Sequence, residues 1–515
     1  MSDHSKDDKD LGEVQPQILT LQPSDVAAGK DANTQLSSKA RYSDLFTVFA
    51  CGAALISDGY QNNAMTMINV LFQKRYGTKV YDSEVSTRIS NALLVGAVLG
   101  QVTVGVICDR IGRKSAIVLS TLILVTGAIF ATAATPVHHS VAALFWWLTV
   151  ARGATGFGVG AEYPASSTSC SEAANERYSQ NKRSTIFILC TNVVLSFGGP
   201  LAVSIFLIVL SASHYGGTTS PEDARRLDIV WRIVFGIGAL LPLSVFYFRM
   251  KMMNSKLYRK SAIKRNVPYW LFVKRYWPRL IGTCGAWFLY DFVTFPNGAF
   301  SGTVISTVLK LTSLREIAEY QLLLGTISLP GAIIGAFLVK KIGTRLQLVL
   351  GFSGYLILGL IIGLAWTHII KIPALFVVFY GLFTSMGNLG PGSIAGLQSS
   401  ESYPSALRGT AYGLSAAIGK TGAAIGTQAF TPIQNHLGKQ YTFIIAAGIG
   451  VVGILVSWFF CIDTSKLDLE AEDREWLAYL QRNGWHGEVG APEKEEVDFE
   501  YAGKSSQSLQ DSRSD

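Results

Sequence analysis

Charge is scarce in this sequence. Only 16% of the 515 residues are Asp, Glu, Lys or Arg, against about 25% in an ordinary soluble chain. A water-facing surface of the size a soluble protein this long requires is therefore missing. Nucleic-acid binding is excluded with it, because 44 Lys and Arg against 36 Asp and Glu leave only +8, and the basic residues are not spread over a soluble surface. Cysteine is also sparse. Cys51, Cys108, Cys170, Cys190, Cys284 and Cys461 all fall in or at the ends of apolar runs, without CxxC or His-rich spacing. They read as core thiols, and neither a disulfide framework nor a metal site is expected. The loops lack a nucleophile–base pair, so no enzyme and no cofactor is expected.

What is abundant is apolar: 49% of residues are hydrophobic. About twelve runs reach the roughly 20 residues that cross a bilayer. They fall near 44–70, 86–108, 115–134, 141–166, 184–211, 229–249, 278–308, 318–340, 346–367, 373–398, 408–432 and 440–461. The predicted class is an all-α membrane protein. Residues 1–40 are polar with no apolar stretch of a signal peptide, 463–515 are charged, and the final stretch has a disordered composition. Leu467 to Leu480 is a candidate surface helix. Between the sixth and seventh runs, residues 250–277 form a loop with Lys251, Lys256, Arg259, Lys260, Lys264, Arg265, Lys274 and Arg275 and no acid. The positive-inside rule makes that loop cytoplasmic and, counting six spans either way, both termini as well.

The chain repeats itself. Cys51-Gly-Ala-x-x-x-x-Asp58 recurs as Cys284-Gly-Ala-x-x-x-x-Asp291, 233 residues on; Ser171-Glu172 recurs as Ser400-Glu401, 229 on; Ile111-Gly112 recurs as Ile342-Gly343, 231 on. Two halves follow, 41–249 and 278–462, each of six spans. This resembles the major facilitator superfamily, which places its substrate site at the midplane between two rocking halves. Gly105-Val-Ile-Cys-Asp109-Arg110-Ile-Gly112-Arg113-Lys114 matches that superfamily's G-x-x-x-D-R-x-G-R-K loop. Asp109, with Arg110 and Arg113, is expected to latch the cytoplasmic side. In the second copy, Lys340-Lys341-Ile-Gly343-Thr-Arg345, the Asp is replaced by Lys, so an equivalent latch is not expected from that loop.

An ionisable group inside a span costs on the order of 2.5–3.5 kcal/mol on insertion scales unless it pairs or meets water. Five stand there: Asp58, Arg152, Glu162, Asp291 and Lys420. Asp58 and Asp291 occupy equivalent places in the two halves and read either as proton carriers or as tethers between helices. Arg152 and Glu162 lie on a glycine-rich fourth span, where Pro164 is expected to loosen the helix. Pro296-Asn297-Gly298 in the seventh span and Asn388-Leu-Gly-Pro391-Gly392 in the tenth look like broken helices beside a midplane site. Lys420, flanked by Gly419, Thr421 and Gly422, leaves room for an anion, or pairs with one of the two aspartates.

Glu162-Tyr163-Pro164-Ala165-Ser166 resembles the acid-Tyr-Pro-x-Ser run of phosphate:proton symporters, which usually have Asp in the first place. Longer matches, Gly282 through Trp287 and Asp291 to Gly298 and Gly413 to Lys420, resemble fungal glycerophosphodiester permeases over the whole membrane region. The resemblance implies a plasma-membrane importer of glycerophosphoinositol or glycerophosphocholine, working as a monomer, driven by the proton gradient and not by a cofactor. The phosphate-carrier pattern implies that Asp58 and Asp291 carry the protons and that Glu162, Tyr163, Trp287 and Lys420 contact or enclose the substrate; Arg152 and Glu162 are further candidates for proton coupling, and Tyr290, Asn297, Asn388 and Gln61 for substrate contact. Phe295 and Gly392 stand where phosphate carriers have Tyr and Asn; the space gained would suit a larger head group. Inorganic phosphate transport is the alternative. A sugar porter would show P-E-S-P-R and P-E-T-K-G where this chain has Phe248-Arg-Met-Lys-Met and Cys461-Ile-Asp-Thr-Ser. A non-transporting nutrient receptor would need longer tails for docking.

Overall fold

Helices stand where the apolar runs stood. The computed structural model describes residues 48–218, 220–250, 262–263 and 266–490; the expected N-terminal tail, the expected C-terminal tail from residue 491 on, and residues 251–261, 264 and 265 of the expected central loop lie outside them, while the end of that loop is already helical from Tyr269. The first half contains α1 (Ile56–Tyr76), α2 (Ser83–Arg110), α3 (Arg113–Thr132), α4 (Val141–Arg177), α5 (Gln180–Ile188) continuing through a π turn (Leu189–Val193) into α6 (Val194–Ala212), and α7 (Pro221–Met250). The second contains α8 (Tyr269–Ala299), the short α9 (Ser301–Val308), α10 (Leu314–Leu364), a single turn α11 (Trp366–Ile369), α12 (Pro373–Gly387), a π turn (Asn388–Gly392) into α13 (Ser393–Glu401), α14 (Arg408–His436) and α15 (Gln440–Phe460). Helix α16 (Leu469–Arg482) follows, two residues from the expected surface helix. Side chains at helix starts satisfy orphan amides: Asp82 accepts from the Val85 N–H at 2.8 Å and Asp468 from that of Glu470 at 3.0 Å.

The eighth and ninth spans are the two helical stretches of α10, 314–342 and 344–364, which meet at the single non-helical residue Gly343. The chain reverses at Gly343, whose φ of 79° belongs to the left-handed region that only glycine enters at no steric cost. The carboxylate that the second loop copy lacks comes from elsewhere: Asp463, just past α15, accepts from the Thr344 N–H at 3.0 Å and from the Ser465 hydroxyl at 2.8 Å. Burial pushes its pKa up, but these donors outweigh burial and hold it below the ordinary carboxylate value.

Two proline expectations are corrected. Pro164 does not interrupt α4, which runs continuously to Arg177, with neighbouring helices packed around it. In the seventh span the break falls after Pro-Asn-Gly, at Phe300, so α8 carries Pro296 inside it. The tenth span does widen, at Asn388–Gly392, with the Ser393 hydroxyl donating to the Asn388 carbonyl at 2.6 Å.

Within the first half α2 packs on α4, and within the second α8 packs on α14; between halves the main contacts are α2 with α14, and α6 with α10. Close approach explains the glycine-rich fourth span: a Cβ on Gly160 would collide with the Ala97 carbonyl of α2. Among the described residues, seven helices have the length and apolarity to cross a membrane by composition. The helices missing from that set are α1, α4, α8 and α14, which surround the central cavity.

Candidate functional site

The cavity between the halves has a volume of about 220 Å³ and is walled by Asp58, Asn62, Arg152, Tyr163, Trp287, Tyr290, Asp291, Asn297, Asn388 and Lys420, among others. Helices α1 and α8 bring Asp58 and Asp291 to opposite sides of it, and α14 inserts Lys420 between them. The Lys420 ammonium lies 3.9 Å from Asp58 Oδ2 and 3.6 Å from Asp291 Oδ2, and all three residues are buried. The ammonium also sits 3.7 Å from the centre of the Phe295 ring, a cation–π contact. Asp58 is held from both sides: Asn62 Nδ2 donates to Oδ1 at 2.5 Å and the Tyr163 hydroxyl donates to Oδ2.

An aromatic wall closes one side, Tyr163 beside Trp287 with ring centres 6.2 Å apart and Trp287 edge-on to Tyr412 at 5.5 Å. Opposite, the Tyr290 hydroxyl donates to Asn388 Oδ1 at 3.3 Å, and Thr294 and Tyr355 share a 2.6 Å hydrogen bond. Arg152 reaches the cavity but spends its fork on Gln61, Nη1 to the side-chain oxygen and Nη2 to the carbonyl, both at 3.0 Å. It is paired with an amide and keeps its charge uncancelled by that partner. With both acids ionised the four charged groups sum to zero; protonating both makes the cavity +2.

On the Asp109 face the halves are bolted together. Asp109 accepts from the N–H groups of Gly409 and Thr410, at 2.9 and 2.6 Å, which places a carboxylate at the positive end of α14. Arg113 bonds Asp109 at 2.7 Å and Glu172 at 2.9 Å, and Glu172 meets Arg408 of the other half at 3.4 Å. Arg183 pairs with Glu401 at 2.8 Å and donates to the Leu467 carbonyl. The opposite face holds with uncharged contacts, such as Thr66 to the Gly298 carbonyl at 3.1 Å and Thr87 with Thr431 at 2.9 Å.

Residues 45–476 match the family described as "Sugar (and other) transporter". The chain belongs to this family. Within the major facilitator superfamily it is similar to glycerophosphoinositol permease 1 of Candida albicans, 50% identical over 90% of this chain and 88% of the relative. It is 46% identical to glycerophosphoinositol transporter 1 of Saccharomyces cerevisiae, over 96% and 92%. Its fold matches that of the proton:xylose symporter XylE bound to a bromo-deoxyglucose, TM-score 0.68, covering 84% of this chain and 99% of that one at 16% identity; that likeness concerns the fold alone. The protein is a multi-pass membrane transporter of this family.

Not every sequence-predicted residue reaches the transporter's cavity. Glu162 is buried on the α3 side of α4, where Thr121 donates to it at 3.4 Å; one residue before Tyr163, it is rotated about 100° away from the cavity wall. Gln61 lies beneath Arg152 and off the wall. Arg110 is exposed, touching only the Tyr269 hydroxyl at 3.4 Å among its named hydrogen bonds, while Arg113 makes the ion pairs to Asp109 and Glu172. Other residues went unread. Glu172, Arg183, Glu401 and Arg408 form a charged cluster that joins the halves, and the Ser-Glu echo was the signal that marked two of them. Asn62, one helical turn after Asp58, was also missed.

Proposed function

We propose that the chain imports glycerophosphodiesters, glycerophosphoinositol foremost, across the plasma membrane with protons, from a cavity that opens to each side in turn, both termini being cytoplasmic. The observation that carries this reading is Lys420 between the carboxylates of the two halves on the cavity wall, in a chain half-identical to a glycerophosphoinositol permease. A phosphodiester keeps one negative charge at ordinary pH, and two bare carboxylates would repel it. Protons on Asp58 and Asp291 remove that repulsion and release Lys420 to meet the phosphate, with Arg152 as a second cation. The Phe295 ring holds the ammonium in place when its acid partners are neutral.

Charge also decides the energetics. A membrane potential of −100 mV opposes a lone entering anion by about 2.3 kcal/mol; two accompanying protons make the complex net positive and reverse the sign. Trp287, Tyr163 and Tyr290 supply faces and hydroxyls for a polyol head group; the space beside Gly392 is taken by the Tyr290 hydroxyl, 2.7 Å from where a Cβ would stand, so the glycine positions that hydroxyl and does not itself open room for the head group.

The test is uptake of radiolabelled glycerophosphoinositol, glycerophosphocholine and inorganic phosphate by proteoliposomes holding the full chain, with and without an imposed pH gradient. Gradient-driven accumulation of the diesters is expected, with Asp58→Asn and Asp291→Asn abolishing accumulation. If both variants still concentrate substrate, the proton role fails; if phosphate outcompetes both diesters, the chain is a phosphate carrier.

A further inference from the structure

A second concave site lies outside the transport path. It is a groove of about 1250 Å³ formed by α2, α3, α4 and α14 at the face away from Asp109, and it shares no lining residue with the central cavity. Its walls change character with depth. At the rim stand Glu84, Arg88 and Asn91, with Asn435 and His436 opposite; deeper come Val95, Leu99, Ile123 and Phe157. From Ser83 to Leu99 the helix climbs 16 residue steps, roughly 24 Å at 1.5 Å per residue, enough for a head group and one leaflet of hydrocarbon. Leu99 is 57% and Val95 53% exposed to the membrane side.

Two rim groups await a partner. Arg88 Nε, a donor, and Asn91 Oδ1, an acceptor, are buried without a hydrogen-bond partner among the described residues, a costly condition for polar atoms; of the two, only the Arg88 guanidinium suits an anion. The Arg88 guanidinium stacks on the ring of Trp146 at 4.0 Å, and that ring is itself 55% exposed, as tryptophans at the head-group level are. Glu84 lies one helical turn above Arg88, toward water, and is exposed. A cation at the level of lipid phosphate with an anion outside it matches one arrangement of charge: a phosphate whose ammonium projects toward water.

We propose that this groove binds a zwitterionic phospholipid of the outer leaflet, its phosphate on the Arg88 guanidinium, its ammonium toward Glu84, and an acyl chain along Val95, Leu99 and Phe157. The lipid lies across the seam between halves, beside the Thr87–Thr431 bond and the Asn91 contact to the Ala424 carbonyl at 3.2 Å. It therefore fastens that face in its closed arrangement.

Native mass spectrometry of the full chain, purified with palmitoyl-oleoyl phosphatidylcholine, palmitoyl-oleoyl phosphatidylglycerol or ergosterol, tests this. One phosphatidylcholine should survive activation that strips the remaining lipid. Arg88→Gln should lower its retention about tenfold, the scale of one charge-assisted hydrogen bond, and Glu84→Gln should shift preference toward phosphatidylglycerol. Leu99→Trp, which fills the tail channel at a membrane-exposed position, should lower retention with the rim intact and serves if Arg88→Gln fails to fold. Equal retention in wild type and Leu99→Trp overturns the proposal. So does wild-type preference for phosphatidylglycerol or ergosterol, or displacement of the lipid by millimolar glycerophosphocholine, which would make a soluble diester the occupant.

Discussion

Glu172 is the member of the charged cluster whose loss should be felt most. It accepts from Arg113 of its own half and faces Arg408 of the other, and all three side chains are almost fully buried. Glu172→Gln leaves two guanidinium groups from opposite halves facing each other without the charge between them. Breaking a buried ion pair by removing one partner costs about 3–5 kcal/mol. The cluster exists only while this face is closed, because separation of the halves lets water solvate each arginine. The cost therefore falls on the closed state, and the balance between closed and open should move by roughly two to three and a half powers of ten. Cys108 reports it without an added probe: it is fully buried, adjacent to Asp109 and against Gly409 of the opposing half. Alkylation by a membrane-impermeant maleimide applied from the Asp109 face, with the modified cysteine mapped by mass spectrometry, should be slow in the wild type and faster in Glu172→Gln by a comparable factor. Equal Cys108 labelling in two well-folded proteins would refute a gating role for the cluster.

Three other outcomes follow from the geometry. A phosphate charge at the 3.6 Å from the Lys420 ammonium where Asp291 now stands would gain roughly 5 kcal/mol of attraction at an effective dielectric of about 20, so Lys420→Ala should abolish diester binding, measured by equilibrium dialysis, while Lys420→Arg keeps part of it; undiminished binding to Lys420→Ala would remove the ammonium from the site. A side chain at Gly392 meets the Tyr290 hydroxyl at 2.7 Å, so Gly392→Ala should reduce glycerophosphoinositol uptake several-fold more than that of inorganic phosphate, in the same competition assay. Asp463, whose folded pKa lies below the ordinary carboxylate value of about 3.9, stabilises the Gly343 turn fully above that ordinary value, and the stabilisation is lost as pH falls through the lower folded value; hydrogen exchange at the Thr344 amide should accelerate there, and Asp463→Asn should flatten the pH dependence.

The twelve spans, the internal repeat and the Asp109 loop were legible because each is a local pattern: length of apolar run, offset of matching words, spacing of glycines and charges. Asp58, Asp291 and Lys420 were legible for a different reason, since a charge inside an apolar run demands a partner wherever it lands. Glu162 met the same test and lies off the cavity, because run length does not say which way a helix faces. The charged cluster was half hidden. Glu172 and Glu401 sit at the ends of spans, where acids are ordinary, and only the folded chain sets them against Arg408 and Arg183 across the halves. Prolines misled for a related reason: packing from neighbouring helices keeps α4 regular through Pro164.

The four helices too polar to qualify as membrane spans by composition carry a consequence for biosynthesis. Asp58 with Asn62 and Asn63 on α1, Arg152 on α4, Asp291 on α8 and Lys420 on α14 each make solitary entry into lipid unfavourable. Such segments must be retained at the insertion machinery, or in its protected interior, until a packing partner shields them: α6 for α1, and α14 with α15 for α8, whereas α4 emerges after its partners α2 and α3. The polarity that makes a conduit thus fixes an order of assembly, and the last span synthesised completes the enclosure of a helix that began 171 residues before it.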